Sequence, residues 1–263
     1  MRISQRKYAI TGAGRGLGAA LAIVMADHDA KLVLLARSND ALQATADTIG
    51  KRTGQQAATM ICDLADTASC TLAGQQLAQE HTDLDGIIHN GAMWLPGPMA
   101  GISDLDIAAC IGSAAVGSLI LTRHLLPNLL ARENADILTV VSTSGVPNLP
   151  LDGASVAFTA AKFAQAGFVQ GLTEELAATR VRVTAIFPGT FTELSPDDAG
   201  WNEPPPPDRT LSSREVVDAI LFILNLPPMV AVRSLVMQQR IAQHRHPQGT
   251  SRSPGASQSH GWR

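Results

Sequence analysis

The sequence predicts an α/β fold: a doubly wound, mostly parallel sheet of about seven strands with helices on both faces. Short runs of β-branched and aliphatic residues alternate along the chain with longer segments rich in Ala, Leu, Glu and Gln. The spacing of these runs suits right-handed strand–helix–strand crossovers. A glycine-rich turn also separates the first apolar run from the first helical segment. Together these features are typical of a parallel sheet that binds a ligand at its carboxyl edge.

The predicted elements follow from local composition. The strands are the aliphatic runs Tyr8–Thr11, Lys31–Ala36, Ala57–Cys62, Gly86–His89, Ile137–Val141, Arg182–Phe187 and Ser234–Met237. The helices include Gly16–Asp27, Ser38–Arg52, Ala108–Leu130 and Ala154–Thr179. A further helix is expected to begin at Ser212 or Ser213, where a hydroxyl can cap it ahead of Glu215.

We expect one α/β domain over residues 1–242 and a disordered tail over residues 243–263, which have almost no apolar residues. An excursion at about 190–210 interrupts the domain. It contains four consecutive prolines, Pro204 to Pro207, which exclude a helix or a central strand. Because it follows a strand end, the excursion is either a simple connector or a segment that covers a substrate.

Composition excludes several classes of protein. A formal net charge of −3 provides no basic field for nucleic acid, and no uncharged apolar run reaches the length of a membrane span. The three cysteines, Cys62, Cys70 and Cys110, lack the spacing of a metal site, so we expect no metal. An odd number of cysteines without a secretory signal predicts reduced thiols and a cytoplasmic location.

The segment Thr11–Gly18 reads TGAGRGLG and leaves the first strand to open the first helix. Glycines at positions 12, 14, 16 and 18 allow a tight turn and a close approach of the backbone to a pyrophosphate. The helix that follows offers free N–H groups and the positive end of its dipole to the phosphates. The site predicted on this turn consists of Gly12, Gly14, Arg15, Gly16, Leu17 and Gly18.

The end of the second strand favours NADP over NAD. A protein that prefers NAD carries an acidic residue there, which binds the ribose 2′-hydroxyl. This strand instead ends in Ala36-Arg37-Ser38. Arg37 is suited to pair with a 2′-phosphate, Ser38 to donate a hydrogen bond beside it, and Arg15 to add a second cation.

These motifs resemble those of the short-chain dehydrogenase/reductase family, and the likeness covers nearly the whole folded chain. TGAGRGLG resembles the family's TGxxxGxG fingerprint, and HNGA at His89–Ala92 resembles its NNAG motif. Gly117, Thr122 and Leu126-Pro127 resemble its long interface helix. The resemblance implies a Rossmann-like fold and further coenzyme contacts from Asp63, Leu64, Asn90, Gly91, Lys162, Pro188, Gly189, Thr190 and Thr192.

The resemblance also implies a Ser-Tyr-Lys active site, from which this chain departs. Lys162 matches the lysine, but the tyrosine position four residues earlier is Phe158. The single tyrosine of the chain, Tyr8, starts the first strand and is expected at the opposite edge of the sheet. The serine position is best matched by Thr143, with Ser142 and Ser144 as alternatives.

A fourth group, an asparagine that completes the family's proton relay, is also missing. Its position is Ala114, which follows Ser113. Both absent groups belong to proton transfer, whereas the retained groups serve coenzyme and substrate binding. Three acidic residues of the excursion are alternative proton donors: Glu193, Asp197 and Asp198.

The first interpretation is an NADP-dependent oxidoreductase that acts on a carbonyl or alcohol of a small molecule, with impaired or atypical proton transfer. The second is a catalytically degenerate NADP-binding protein with a regulatory or partner role. The third is an isomerase or cyclase that uses the same pocket, and an engineered Tyr→Phe change at Phe158 stays open as a fourth. The resemblance implies a homodimer or homotetramer. We expect no nucleic-acid partner and no membrane association.

Overall fold

A computed structural model describes residues 1–149, 153–203 and 211–239. Seven parallel strands form the main sheet in the order β3-β2-β1-β4-β5-β6-β9, which confirms the predicted fold class. Two short strands, β7 and β8, pair with each other outside it. The strands are β1 Lys7–Thr11, β2 Lys31–Ala36, β3 Ala58–Ile61, β4 Gly86–His89, β5 Ala135–Val140, β6 Val181–Pro188, β7 Phe191–Thr192, β8 Leu211–Ser212 and β9 Ser234–Met237.

Helices cover both faces of the main sheet. They are α1 Gly16–Asp27, α2 Asn39–Thr53, α3 Thr67–Glu80, α4 Asp104–Ile111, α5 Gly117–Leu130, α6 Val156–Glu175 and α7 Ser213–Asn225. Alternate strand residues point to opposite faces, so Leu34 packs in the core with α1 and α7, and Leu35 packs in the core with α3, α5 and α6. This two-sided burial explains why the strands are continuously apolar.

Capping interactions decide where several helices begin. The α6 helix starts at Val156 rather than at Ala154 because Ser155 Oγ accepts a hydrogen bond from the backbone N–H of Phe158 at 3.0 Å. At α7 the cap is Ser212, whose backbone N–H donates to the Glu215 carboxylate at 2.7 Å. Ser38 likewise caps α2, so that helix begins one residue later than predicted.

The order of the strands reverses between β1 and β4. From β1 the chain passes through β2 to β3 on one side, and then crosses to β4 and continues through β5 to β6 on the other. The connections above the two strands therefore diverge, and a crevice opens at their carboxyl ends. The glycine turn that follows β1 lies at this point.

The long helix through α4 and α5 packs within the fold. The segment Asp104–Leu130 is apolar and long enough to cross a membrane, with a mean hydropathy of 1.8 over its most apolar window, although charged residues such as Arg123 interrupt it. Leu121, Leu125 and Leu129 are nonetheless fully buried against the sheet and its neighbouring helices. The segment is a core helix.

The excursion after β6 is described in part. Residues 190–203 contain β7 and a short 3₁₀ turn at Ala199–Trp201, and Trp201 is buried in the core. The four prolines at 204–207 and the tail predicted over residues 243–263 lie outside the described residues. The three cysteines are buried free thiols, as the sequence predicts.

Candidate active site

A cavity of about 960 Å³ runs along the carboxyl ends of the central strands. It collects residues from the glycine turn, the ends of β2 to β6, and helices α4 and α6. Of the predicted site residues, those that line it are Gly12, Gly14, Arg15, Leu17, Arg37, Ser38, Asp63, Leu64, Asn90, Gly91, Ser142, Thr143, Ser144, Phe158, Lys162, Pro188, Gly189 and Thr190. Gly16, Gly18 and Thr192 do not line it.

The glycine turn has the shape that a diphosphate requires. Gly12 has a positive φ of 67°, and a Cβ there would lie 2.7 Å from the Cα of Gly91. A Cβ on Gly18 would collide with the carbonyl oxygen of Gly12 and lie 2.5 Å from the Asn90 amide nitrogen. Gly18 therefore closes the turn rather than lining the cavity. The result is an open cradle at the start of α1, and these residues fit a dinucleotide.

Asn90 holds this turn in place. Its Nδ2 donates to the carbonyl oxygen of Thr11 at 3.2 Å. The Thr11 hydroxyl accepts hydrogen bonds from the backbone N–H groups of Asn90 and Gly91, both at 3.0 Å. The segment after β4 is thereby fastened to the turn after β1, which gives Asn90 a structural role in shaping the cradle.

Two arginines stand at the end of the cavity next to β2. Arg15 and Arg37 are exposed, and neither makes an ion pair or a hydrogen bond through its guanidinium among the described residues. Both guanidiniums are therefore available to a phosphate. Ser38 Oγ accepts from the backbone N–H of Ala41 at 3.3 Å to cap α2, which leaves its own O–H as a donor.

Asp63 borders the same end of the cavity. Its carboxylate accepts a hydrogen bond from the backbone N–H of Ala65 at 3.0 Å, which orders the loop after β3. Leu64 beside it packs against Gly91 and Gly117, where any Cβ would lie within 2.6 Å of a Leu64 atom. This contact explains why both positions are glycine.

At the other end, an aromatic pair forms one wall of the cavity. Phe158 is buried, and the ring of Trp94 meets it edge-on at 4.6 Å between ring centres. Sequence reasoning missed Trp94, whose signal is an aromatic residue shortly after the HNGA segment, in a loop beyond a strand end. The wall has no hydroxyl.

Tyr8 is fully buried at the opposite edge of the sheet, where its hydroxyl donates to Asp136 at 3.1 Å.

Lys162 lies one helical turn beyond Phe158, with Nζ 5.5 Å from the centre of the phenyl ring. Only 4% of the residue is exposed. Nζ donates to Gln165 Oε1 at 2.8 Å and to the Val140 carbonyl oxygen at 3.3 Å. Burial lowers the pKa of this ammonium to about 7. Sequence reasoning missed Gln165, for which the signal is a polar residue three positions on along the buried face of α6.

Hydroxyl groups of the turn after β5 line the same cavity as Lys162. Ser142, Thr143 and Ser144 all line the cavity, and Thr143 and Ser144 are buried. Ser142 Oγ accepts a hydrogen bond from the backbone N–H of Ser144 at 3.1 Å and so shapes the turn. The structure therefore brings the lysine and every candidate hydroxyl to one cavity.

The expected asparagine position lies in a π-helical segment, Gly112–Val116, between α4 and α5. Ala114 is buried in an apolar cluster with Phe158 and Ala161. The residue of this segment that lines the cavity is Ser113. Its Oγ accepts from the backbone N–H of Met93 at 3.0 Å and donates to the Cys110 carbonyl oxygen at 3.1 Å.

Two of the three acids considered as proton donors lie away from the cavity. Asp197 pairs with Arg52 of α2 at 2.6 Å, and Asp198 accepts a hydrogen bond from the backbone N–H of Ser195 at 2.7 Å. The expectation that either acid reaches the site is wrong, because these contacts hold both at the surface. Glu193 does line the cavity, next to the glycine turn. Gly16 and Glu193 also border a smaller groove of about 350 Å³.

The described residues contain no group of three or more His, Cys, Asp or Glu side chains arranged to hold a metal ion.

Residues 6–199 match the family model described as short chain dehydrogenase. An uncharacterized oxidoreductase of Staphylococcus saprophyticus is 25% identical over 241 residues, which cover 90% of this chain and 99% of that protein. An alcohol dehydrogenase from Thermococcus sibiricus, solved with 5-hydroxy-NADP, is 22% identical with a TM-score of 0.76, and covers 90% of this chain and 99% of its own. A metagenomic short-chain oxidoreductase solved with NADP is 23% identical with a TM-score of 0.75. The match covers 92% of this chain and 100% of that protein. On its fold, its cavity and its sequence, this chain belongs to the short-chain dehydrogenase family.

Proposed function

We propose that this protein is an NADP-dependent oxidoreductase that acts on a carbonyl or alcohol group of a small molecule. The observation that carries the proposal is the continuity of one cavity from the glycine turn to the buried amine of Lys162. The cradle suits a diphosphate, and the Lys162 end offers an amine and hydroxyls within one enclosed space. A coenzyme and a small carbonyl compound can therefore meet there.

The preference for NADP rests on the two free guanidiniums, Arg15 and Arg37. Arginine binds phosphate through paired N–H donors, and neither of these side chains is engaged by a carboxylate among the described residues. Family relatives solved with NADP or its 5-hydroxy derivative support the same choice. The adenosine end would be held by Asp63 and Leu64, and the nicotinamide end by the Pro188–Thr190 turn.

When bound, the nicotinamide supplies or accepts a hydride. The protein's own groups then have to orient the carbonyl, polarise it and transfer a proton. The hydroxyls of Ser142, Thr143 and Ser144 are suited to polarise the carbonyl oxygen. Phe158 and Trp94 provide an apolar wall that limits the access of water to the reacting atoms. This wall favours substrates with an apolar part beside the carbonyl.

A catalytically degenerate coenzyme-binding protein is the second candidate, and one observation favours it. The phenyl ring of Phe158 lies 4.6 Å from Trp94, within a hydrophobic contact and without any proton to give. A protein that keeps the glycine turn but lacks an acid at this position would bind the coenzyme without reducing a substrate. An isomerase or cyclase is the third candidate and would use the same hydroxyls and amine.

The experiment that separates these functions measures binding and turnover independently. Calorimetry with NADPH tests the cradle, and the consumption of NADPH over a panel of aliphatic and aromatic aldehydes and ketones tests the chemistry. Binding with turnover supports the oxidoreductase. Binding without turnover, with activity appearing only in Phe158→Tyr, supports the degenerate protein. Absence of binding to NADPH and to NADH refutes the proposal.

We further propose that the protein is cytoplasmic and assembles as a homodimer or homotetramer through α5 and α6. The three free thiols support a reducing compartment. On α6, the small and apolar residues Phe163, Ala164, Gly167 and Gly171 are exposed in the single chain. An apolar helix face with glycines allows close helix packing across a twofold axis. Light scattering of the purified protein tests the assembly, which Gly167→Glu should disrupt.

A further inference from the structure

Among the side chains that line the cavity, few can donate a proton near Phe158. The titratable ones are Arg15, Arg37, Cys62, Asp63, Lys162 and Glu193. Arg37, Cys62 and Asp63 lie at or beyond the ends of β2 and β3, and Arg15 and Glu193 lie at the glycine turn. Only Lys162, of the residues that the structure describes, shares the end of the cavity with Phe158 and the hydroxyls after β5.

The surroundings of Lys162 leave its amine with a donor to spare. An ammonium group has three N–H donors. Two are used by neutral acceptors, the side-chain oxygen of Gln165 and the carbonyl oxygen of Val140. The third N–H is not engaged by any described residue and is left for a group in the cavity. No carboxylate of the described residues pairs with Lys162.

We propose that Lys162 is itself the proton donor in carbonyl reduction, and that Gln165 is the positioning residue that holds its amine. This inference rests on the proposed oxidoreductase function. As a hydride reaches the carbonyl carbon, the carbonyl oxygen takes a proton from Nζ. One N–H bond breaks and one O–H bond forms. Lys162 is left as a neutral amine, which then takes up a proton from the solvent.

The lowered pKa of Lys162 suits this role, since an acid with a pKa near the working pH transfers protons most effectively. Burial is the main cause, and among the described residues the Cys110 thiol of α4 is the titratable group whose charge acts on the amine. The other elements packed against it contribute neutral groups, namely a carbonyl oxygen from β5 and the amide of Gln165 from α6. Reduction should therefore be fastest below about pH 7 and slow as the pH rises, because the protonated amine is the reacting form.

Gln165 offers a test that leaves Lys162 in place. It is fully buried, and its Nε2 has no partner in the described structure. Gln165→Glu would put a carboxylate 2.8 Å from Nζ, at the position of the present acceptor. An opposite charge at this distance raises the pKa of a lysine, so the fall in reduction rate should move at least one pH unit upward. Gln75→Glu makes the same change on the exposed face of α3 and should leave the profile unmoved.

Lys162→Arg separates charge from proton transfer. Arginine keeps the cation but stays protonated throughout the working range. If Lys162 donates the proton, this variant should bind NADPH and lose roughly 10²- to 10⁴-fold in the rate of reduction, the usual contribution of general acid catalysis. Turnover that survives Lys162→Arg, or a pH profile that Gln165→Glu does not move, would overturn the inference and leave the oxidoreductase function standing.

A measurement without coenzyme completes the test. The amine reacts with acetic anhydride only when neutral, so labelling of Lys162 across pH, quantified by peptide mass spectrometry, reports its pKa directly. We expect half-maximal labelling near pH 7, and a higher midpoint in Gln165→Glu. A midpoint near the ordinary lysine value of about 10.4 would refute the proposal whatever the turnover. Failure of the oxidoreductase function itself would instead appear in the unchanged protein, either as an absence of NADPH binding in calorimetry or as NADPH binding without turnover of any carbonyl compound.

Discussion

The carboxylate of Glu193 lies against Gly16 at the start of α1: a Cβ built on Gly16 would be 2.6 Å from Glu193 Oε1. Among the described residues, this carboxylate makes no hydrogen bond or ion pair. The N-terminus of a helix attracts anions, and the cradle beside it is where a diphosphate is expected. An unpaired carboxylate and a diphosphate then share one small region.

Glu193→Gln should therefore tighten the binding of NADPH. The carboxylate is exposed, so the gain should be modest, about two- to fivefold in Kd at low salt, and smaller at high salt because the repulsion is screened. Calorimetry at two salt concentrations measures both effects. Glu175→Gln, at the far end of α6, is the matched control. Weaker binding by Glu193→Gln would mean that the carboxylate contacts the coenzyme favourably.

Arg37→Asp should weaken the binding of NADPH much more than that of NADH. The change removes a phosphate-binding cation at the end of β2 and places there the acid that binds a ribose hydroxyl. Loss of one charge-assisted contact of about 1.5–3 kcal/mol corresponds to at least a tenfold loss for NADPH. Calorimetry with both coenzymes checks the ratio.

Lys31→Asp is the control for Arg37→Asp, because it makes the same change of charge at the exposed amino end of the same strand. Lys31→Asp should change the affinities for NADPH and NADH only slightly and equally, through the change in the net charge of the protein. If Arg37→Asp lost equal amounts of affinity for NADPH and for NADH, the preference for NADP would be contradicted.

Gly18→Ala should destabilise the protein and weaken its binding of the coenzyme together. Its methyl group would collide with the Gly12 carbonyl oxygen and with the Asn90 amide that holds the turn. Overpacking of this kind costs about 1–3 kcal/mol. Thermal unfolding and calorimetry measure the two losses. Gly101→Ala, where an added Cβ meets nothing within 4 Å, should leave the stability nearly unchanged.

His89 should make the protein sensitive to acid. Its Nε2 hydrogen-bonds with Thr122 Oγ1 at 2.8 Å, and complete burial lowers the pKa of the imidazole to about 3. An unfolded histidine titrates near 6.5, so between pH 6.5 and 3 the unfolded chain binds more protons than the folded one. Stability that is fully present above pH 6.5 is therefore lost progressively as the pH falls through this range.

In denaturant unfolding, His89→Asn should reduce the slope of stability against pH between 6.5 and 4, because asparagine does not titrate. The variant should also be less stable than the unchanged protein at neutral pH, because the packing against Phe168 changes. His28→Asn, at the partly exposed end of α1, is the control. A slope in His89→Asn equal to that of the unchanged protein would show that acid sensitivity arises elsewhere.

The order and type of the elements could be read from the sequence because they depend on local patterns. Continuous aliphatic runs such as Lys31–Ala36 indicate strands buried on both faces, and TGAGRGLG indicates a turn that only glycine permits. The helix ends moved by up to four residues, since a cap depends on a single hydrogen bond. Ser155 caps α6 two residues later than predicted, and Ser103 caps α4 so that this helix begins at Asp104 rather than at Ala108. The α6 helix ends at Glu175, four residues before the predicted end. The positions of Phe158 and Lys162 on one face of α6 followed from helical spacing alone.

Contacts between distant segments were decided by the tertiary structure. Trp94 meets Phe158, Glu193 reaches Gly16, and Arg52 draws Asp197 away from the cavity. None of these pairs leaves a periodic signal, because each joins residues that only the packed sheet brings together. The state of Lys162 has the same origin: a lysine in a sequence is an ordinary cation, and it becomes a weak acid near neutral pH only when the fold removes its water and supplies neutral partners.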